Sequence, residues 1–269
     1  MPETGNNHLY RLSVQAGLND CSFIVINDAA ATCLSLHRFL YQSISDDNER
    51  QKDLEGWLRK LHSQNTRYAV SQCCVCTPSF TLVPSMVFNP DIASRLLKAV
   101  HPVGDLDEVY HYQLDTPDVV CIYSIPQYLS HSLIKHSKHT QFYSIAIPIL
   151  RRIMRLEGHS RALFFYWNQH LYLALARANQ LLLCNAYKAP QFADALYFLF
   201  AALHQWQLNP MSLRLHISGQ LQNAHFNLLC RYFPHVLALS DPEIALNNDV
   251  LNLQHSLILH PLCALSEVY

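Results

Sequence analysis

The sequence predicts an α/β protein of two lobes, each a mixed sheet flanked by helices and each built on one plan. Three observations carry this expectation. Residues 9–40 give three short strands in succession, followed by a helix. Residues 161–206 repeat that order. Half of the 269 residues are hydrophobic, enough for a sizeable core, and only 14% are charged, against roughly a quarter in an ordinary soluble domain. No Gly- or Ser-rich linker and no block of charge divides the chain, so the two units should share an extensive contact.

The first unit reads as follows. Leu9 to Val14 alternates apolar and polar residues, the period of a half-buried strand. Gly17-Leu18-Asn19-Asp20 supplies turn chemistry, and Cys21 to Ile26 is apolar enough for a central strand. Asn27-Asp28 starts another turn, and Cys33 to Leu40 gives a third strand. The polar run 45–53 leads into a helix with Leu54, Trp57, Leu58 and Leu61 on one stripe. Arg67 to Cys76 reads as a strand, and Pro78 and Pro84 bracket a short extended piece. Apolar Ile92, Leu96 and Val100 predict a helix over Ser85–Val100. Glu108–Leu114 and Val119–Ile125 form a hairpin around Asp115-Thr116-Pro117-Asp118. Pro126 opens a helix that runs toward Lys138.

The second unit begins near Tyr143. Ile147–Leu156 predicts a helix with Arg151, Arg152 and Arg155 on its exposed side, ended by Gly158. Arg161–Trp167, Leu171–Ala176 and Gln180–Asn185 are three strands, joined at Asn168-Gln169 and Ala178-Asn179, pairs suited to tight turns. Pro190 opens a helix with Phe192, Leu196, Leu199, Leu203 and Trp206 on one stripe. Leu213–Ile217 is a strand, followed by Ser218-Gly219, a helix through Tyr232 and a last strand at Val236–Leu239. The expected division is residues 1–142, including the 107–125 hairpin, then 143–240, then a C-terminal segment 241–269 packing back on the first lobe.

Composition narrows the function classes. A net charge of −1 gives no long-range attraction for nucleic acid or acidic membranes. Sixteen histidines would make the molecule cationic below about pH 6.5. Nine cysteines, an odd number, lie mostly in apolar runs, as buried free thiols do in a reducing compartment. The start has neither a basic region nor an apolar stretch, and the longest strongly apolar run, Ala195 to Leu203, is too short to cross a bilayer. The expectation is a soluble cytoplasmic protein with no membrane insertion, no nucleic acid and an unidentified protein as partner.

The duplicated order strand-strand-strand-helix-strand-helix-strand resembles the actin-like ATPase (ribonuclease H-like) fold of actin and the sugar kinases. More narrowly, the chain resembles a bacterial domain-of-unknown-function family with that fold, typical of Bacteroides and relatives. Three pieces carry the resemblance: Phe80-Thr81-Leu82-Val83-Pro84 ahead of a helix with Phe88; Leu181 to Tyr187 followed by the aromatic helix with Tyr197; and Leu215-His216-Ile217-Ser218-Gly219. The resemblance spans nearly the whole chain and implies no enzymatic activity. Distant relatives in shape include cytoplasmic actin-like components of pilus and secretion assemblies, which act as scaffolds.

ATP-using members of the fold hold phosphates with backbone N–H groups in two Gly-rich hairpin turns, aided by acids that position Mg²⁺. Glycine lets the backbone approach the anion closely. Here the first turn keeps Gly17 and Asp20, the first strand ends in Gln15 where the resemblance expects aspartate, and the second turn holds Trp167-Asn168-Gln169-His170 with neither glycine nor carboxylate. The adenosine-side loop keeps Gly219. Each charge-assisted bond to phosphate is worth roughly 1.5–3 kcal/mol, so losing most of a loop removes many decades of affinity. The leading expectation is therefore a degenerate cleft in a non-catalytic scaffold or interaction module, with no cofactor and no metal. An atypical nucleotide site at Gly17, Asp20 and Gly219, with Asp20 as metal anchor, is the alternative.

Cys73-Cys74-Val75-Cys76 reads as a buried strand rather than a zinc site, which needs four convergent ligands. His131, His136 and His139 suit either a helix C-terminus or, as a weaker alternative, a metal-dependent enzyme. Arg151, Arg152 and Arg155 suit a solvated face or an acidic partner. Tyr197, Phe198, Phe200 and Trp206 read as core. No G-x-S-x-G, H-E-x-x-H or Walker string is present, so hydrolase, zincin and P-loop readings have no support.

Overall fold

Strand periodicity at both ends of the chain becomes two sheets of matching order. The structure, a computed structural model, describes residues 10–27, 32–42, 46–62, 70–239 and 245–246. Its elements run β1 (Tyr10–Ala16), β2 (Asp20–Asn27), β3 (Thr32–Leu40), α1 (Asp47–His62), β4 (Val70–Val75), β5 (Phe80–Pro84), α2 (Ala93–Val100), β6 (Glu108–Leu114) and β7 (Val119–Ile125). They continue with α3 (Gln127–His136), β8 (Gln141–Ser144), α4 (Ala146–Arg155), β9 (Ser160–Trp167), β10 (His170–Arg177) and β11 (Gln180–Lys188). The last are α5 (Phe192–Gln205), β12 (Arg214–Gly219), α6 (Asn223–Tyr232), β13 (Val236–Ala238) and β14 (Ala245–Leu246).

The first sheet has the order β14-β3-β2-β1-β4-β8 and the second β11-β10-β9-β12-β13. In each, two antiparallel hairpins are followed by two parallel neighbours: β3-β2-β1-β4-β8 matches β11-β10-β9-β12-β13 strand for strand. The duplication read from residues 9–40 and 161–206 is thus a repeated topology. A small antiparallel sheet, β5-β7-β6, is inserted between β4 and α3 and is backed by α2 through Leu97, Val120 and Ile122.

Three expectations are corrected. No single helix covers Ser85–Val100: two 3-10 turns, at Ser85–Val87 and Pro90–Ile92, precede α2, and Phe88 is extended between them. Pro90 forces Asn89 out of the helical region and brings no N–H, so the helix can start only beyond it. Gln141–Ser144 is a strand that sequence reasoning left unassigned, and the expected lobe boundary at 142/143 falls inside it. Tyr197 is 68% exposed and Phe198, Phe200 and Trp206 are only partly buried, because α5 turns Ala195, Leu199, Ala202 and Leu203 toward the sheet instead. Of the C-terminal segment, Leu257–Leu265 lies outside the described residues, and only β14 is placed, parallel to β3.

The core joins the sheets. α1 and α3 cover one face of the first sheet, where Leu54, Leu58, Leu129 and Leu133 meet Leu12, Phe23 and Phe39. The ring of Phe39 stacks on Trp57 at 5.1 Å. α4 follows β8 and packs across β9, β10 and β11. It buries Ile147, Ile149, Leu150 and Ile153, each worth about 1.5–3 kcal/mol of transfer free energy. One apolar cluster accordingly runs from Leu12 and Val14 through α4 to Phe165, Trp167 and Tyr172. α5 and α6 cover the opposite face of the second sheet.

A buried histidine in this arrangement sets a pH dependence. His216 on β12 pairs in register with Leu163 and is nearly enclosed. Burial, then the cations Arg152, Arg214 and Arg161, lowers its pKa from 6.5 to about 4. Between those values the unfolded chain binds the extra proton, so stability is full above about pH 6.5 and is lost as pH falls toward 4. The loss expected by pH 4 is on the order of 3 kcal/mol. Urea midpoints from pH 7 to 4 should fall accordingly, and the fall should flatten in His216→Gln. An equal slope in the variant would place the titration elsewhere.

Candidate functional site

The two hairpin corners that the sequence marks as a cleft meet directly. At the β1–β2 corner the Gly17 N–H donates to the Asp20 carbonyl at 2.8 Å, and the Tyr41 N–H donates to the Asn19 carbonyl at 3.1 Å. This tight closure points the Asp20 carboxylate inward, 1% exposed. At the β9–β10 corner Asn168 and Gln169 have φ of +46° and +58°, the left-handed pair of a two-residue hairpin loop, which asparagine tolerates.

The corners are bonded to each other. Asn168 Nδ2 donates to Asp20 Oδ1 at 2.5 Å, and Arg38 Nε on β3 donates to Asp20 Oδ2 at 2.7 Å. The Arg38 guanidinium lies over the Trp167 ring, 5.0 Å from its centroid. The Asn168 N–H donates to Gln220 Oε1 at 3.1 Å, and the Gln220 N–H donates to the Tyr166 carbonyl at 2.7 Å. Gly17, Asp20, Asn168 and the loop after Gly219 thus form one connected network across the lobes.

Gly17, Asp20, Asn168 and Gly219 each have a close neighbour inside the protein. Gly17 leaves room for its neighbours: a Cβ there would stand 2.4 Å from both Asn168 Nδ2 and Asp20 Oδ1. Gly219, at φ +104°, lets β12 approach the Tyr166 backbone. The Gly17 and Asn168 amides and both Asp20 oxygens, the groups that would address phosphate and Mg²⁺, are engaged. A triphosphate would have to displace these bonds to be held here. Beside them lies an uncharged polar stripe. Gln15, Ser13 and Ser22 are buried, and Gln15 Oε1 and Nε2 and both serine hydroxyls lack hydrogen-bond partners. Gln15 pairs in register with Ser22.

The other candidate chemistry disperses. Cys73, Cys74 and Cys76 are buried on or beside β4, and burial pushes the thiols of Cys73 and Cys76 well up, away from thiolate reactivity. His131 stands 3.7 Å from Glu108. Among the described residues no three His, Cys, Asp or Glu converge on a metal position, so His131, His136 and His139 do not form a centre. The expected exposed arginine face is broken up. Only Arg155 is exposed, whereas Arg151 Nη2 donates to the Tyr112 hydroxyl at 2.5 Å and its guanidinium covers that ring. No described helix is long and apolar enough to cross a membrane. Sequence reasoning missed Arg38 and Gln220, which no local motif marks.

A family model described as "Protein of unknown function (DUF3822)" matches residues 2–236. No curated protein matches the chain. A crystal structure from Bacteroides thetaiotaomicron VPI-5482, of a protein with actin-like ATPase fold and unknown function, is similar with a TM-score of 0.77 and 21% identity, over 94% of this chain and 98% of that one. A chain of the PilM–PilN type IV pilus biogenesis complex is similar with a TM-score of 0.59 and 11% identity, over 95% of this chain and 96% of that one. These likenesses establish the actin-like ATPase fold.

Proposed function

Because this chain belongs to the family described as Protein of unknown function (DUF3822), which supplies a shape and no reaction, we propose that it is a non-catalytic protein-interaction or scaffold module of actin-like fold. The observation that carries this reading is the bonded contact of Asp20 with Asn168 and Arg38 at the place where related ATPases seat phosphate. A triphosphate entering there would displace two charge-assisted bonds and meet the Asp20 carboxylate, a like charge. That a structure of similar fold comes from the PilM–PilN complex supports a role in assembly.

The test is ligand-induced stabilisation. Millimolar Mg-ATP, Mg-ADP or Mg-GTP should leave the melting temperature unchanged, since a ligand stabilises only what it binds in the native state. A nucleotide present at 100 times its Kd would add about 2.7 kcal/mol, a rise of several degrees for a chain of this size. Such a rise, lost in Asp20→Asn, would establish the nucleotide-binding alternative and remove the inert-cleft reading.

A further inference from the structure

Two strand edges face each other across a groove away from the cleft. Among the described residues β11 is bonded only to β10, and β5 only to β7, so each is the outer strand of its sheet. Between them lies a groove of about 560 Å³, lined among others by Leu82, Val100, His101, Leu182, Leu183 and Asn185. No Asp, Glu, Lys or Arg lines it.

The two edges differ in how they are protected. β5 is guarded: His101 Nε2 lies 2.8 Å from the Phe80 carbonyl oxygen, and Pro84 has no N–H to offer. β11 runs nine residues, carries no proline, and is half-buried from Leu181 to Tyr187. The register shift opposite Leu182 and the Asn185 side chain, whose Oδ1 accepts the Ala186 N–H at 2.9 Å, are its visible blunting devices. That bond shows the Ala186 amide turned off the sheet, and the two-residue strand period turns Cys184 the same way. Val100, the last residue of α2, adds an apolar side chain to the groove and is 59% exposed.

We propose that this groove takes an extended, uncharged segment of a partner protein, added as a strand along β11. The inference rests on the interaction-module reading and locates the partner. The edge offers backbone donors and acceptors at a two-residue spacing. An extended chain can answer them, whereas a helix has already spent its own N–H groups. A charged side chain in a groove without counter-charges would be desolvated and unpaired, which selects an uncharged segment.

A phage-displayed library of random nine-residue peptides, selected on the full chain, tests this. The expected winners are uncharged and rich in β-branched and aromatic residues. N-methylating alternate amides of a winning peptide should weaken binding about tenfold or more in one phase and leave the other phase unchanged. Amide exchange at Cys184 and Ala186 should slow when that peptide binds. Failure to enrich any peptide, winners with charged or helix-periodic patterns, equal effects of the two methylation phases, or a solution dimer closed through β11 would each overturn the proposal. None of these outcomes bears on the nucleotide titration, so the two readings fail separately.

Discussion

Gly219→Ala is expected to lower stability by at least about 3 kcal/mol, read as a fall in the urea midpoint with unchanged slope. The position has φ +104°, where L-residues are strained. An added Cβ would lie 2.1 Å from the Tyr166 carbonyl oxygen and 2.9 Å from its carbonyl carbon. Both atoms belong to β9, which is held in register by β10 and β12, and that oxygen also accepts the Gln220 N–H. Nothing flexible is available to yield. Gly17→Ala, by contrast, meets side-chain ends that can turn away, so it should loosen the contact between the corners without disturbing a sheet. Gly56→Ala is the control: its Cβ meets nothing within 4 Å on α1, and the exchange should stabilise by about 0.5–1 kcal/mol. A Gly219→Ala protein as stable as the parent would refute the close approach of β12 to Tyr166.

Arg38→Ala is expected to cost about 3–5 kcal/mol, because it leaves the enclosed Asp20 carboxylate with Asn168 alone. Asp20→Asn should cost less, about 1–2 kcal/mol, since the Arg38 side chain is 30% exposed and can turn to water. The double variant should be more stable than the sum of the single losses implies, and the cycle measures the coupling. Additive losses would show that the ion pair contributes little and that Arg38 acts through its stacking on Trp167.

Much of this architecture was legible because it is written in short periods. The three-strand runs and the 108–125 hairpin alternate every two residues, and the structure forms all of them. What was not legible depends on partners far along the chain. β8 is four residues long, too short to show a period, and becomes a strand by pairing with β4. Tyr197 sits in a helix with apolar residues all round, where the sequence cannot say which side meets the sheet. The two corners were legible as neighbours: Gly17 and Asp20 of one meet Asn168 of the other, and Gly219 lies against Tyr166. Their bonding was not, because nothing local announces that Asn168 will donate to Asp20 or that Arg38 will complete the pair.

The placement of β14 alongside β3 has a consequence during synthesis. Thr32 and Cys33 wait for Ala245 and Leu246, more than two hundred residues later, which at cellular translation rates is a delay of about 10–40 s. The strands of the other half lie within residues 160–238 and can pair as they leave the ribosome. A nascent chain therefore carries an open β3 margin until Ala245 and Leu246 have emerged, and that margin is where a holding chaperone would find it.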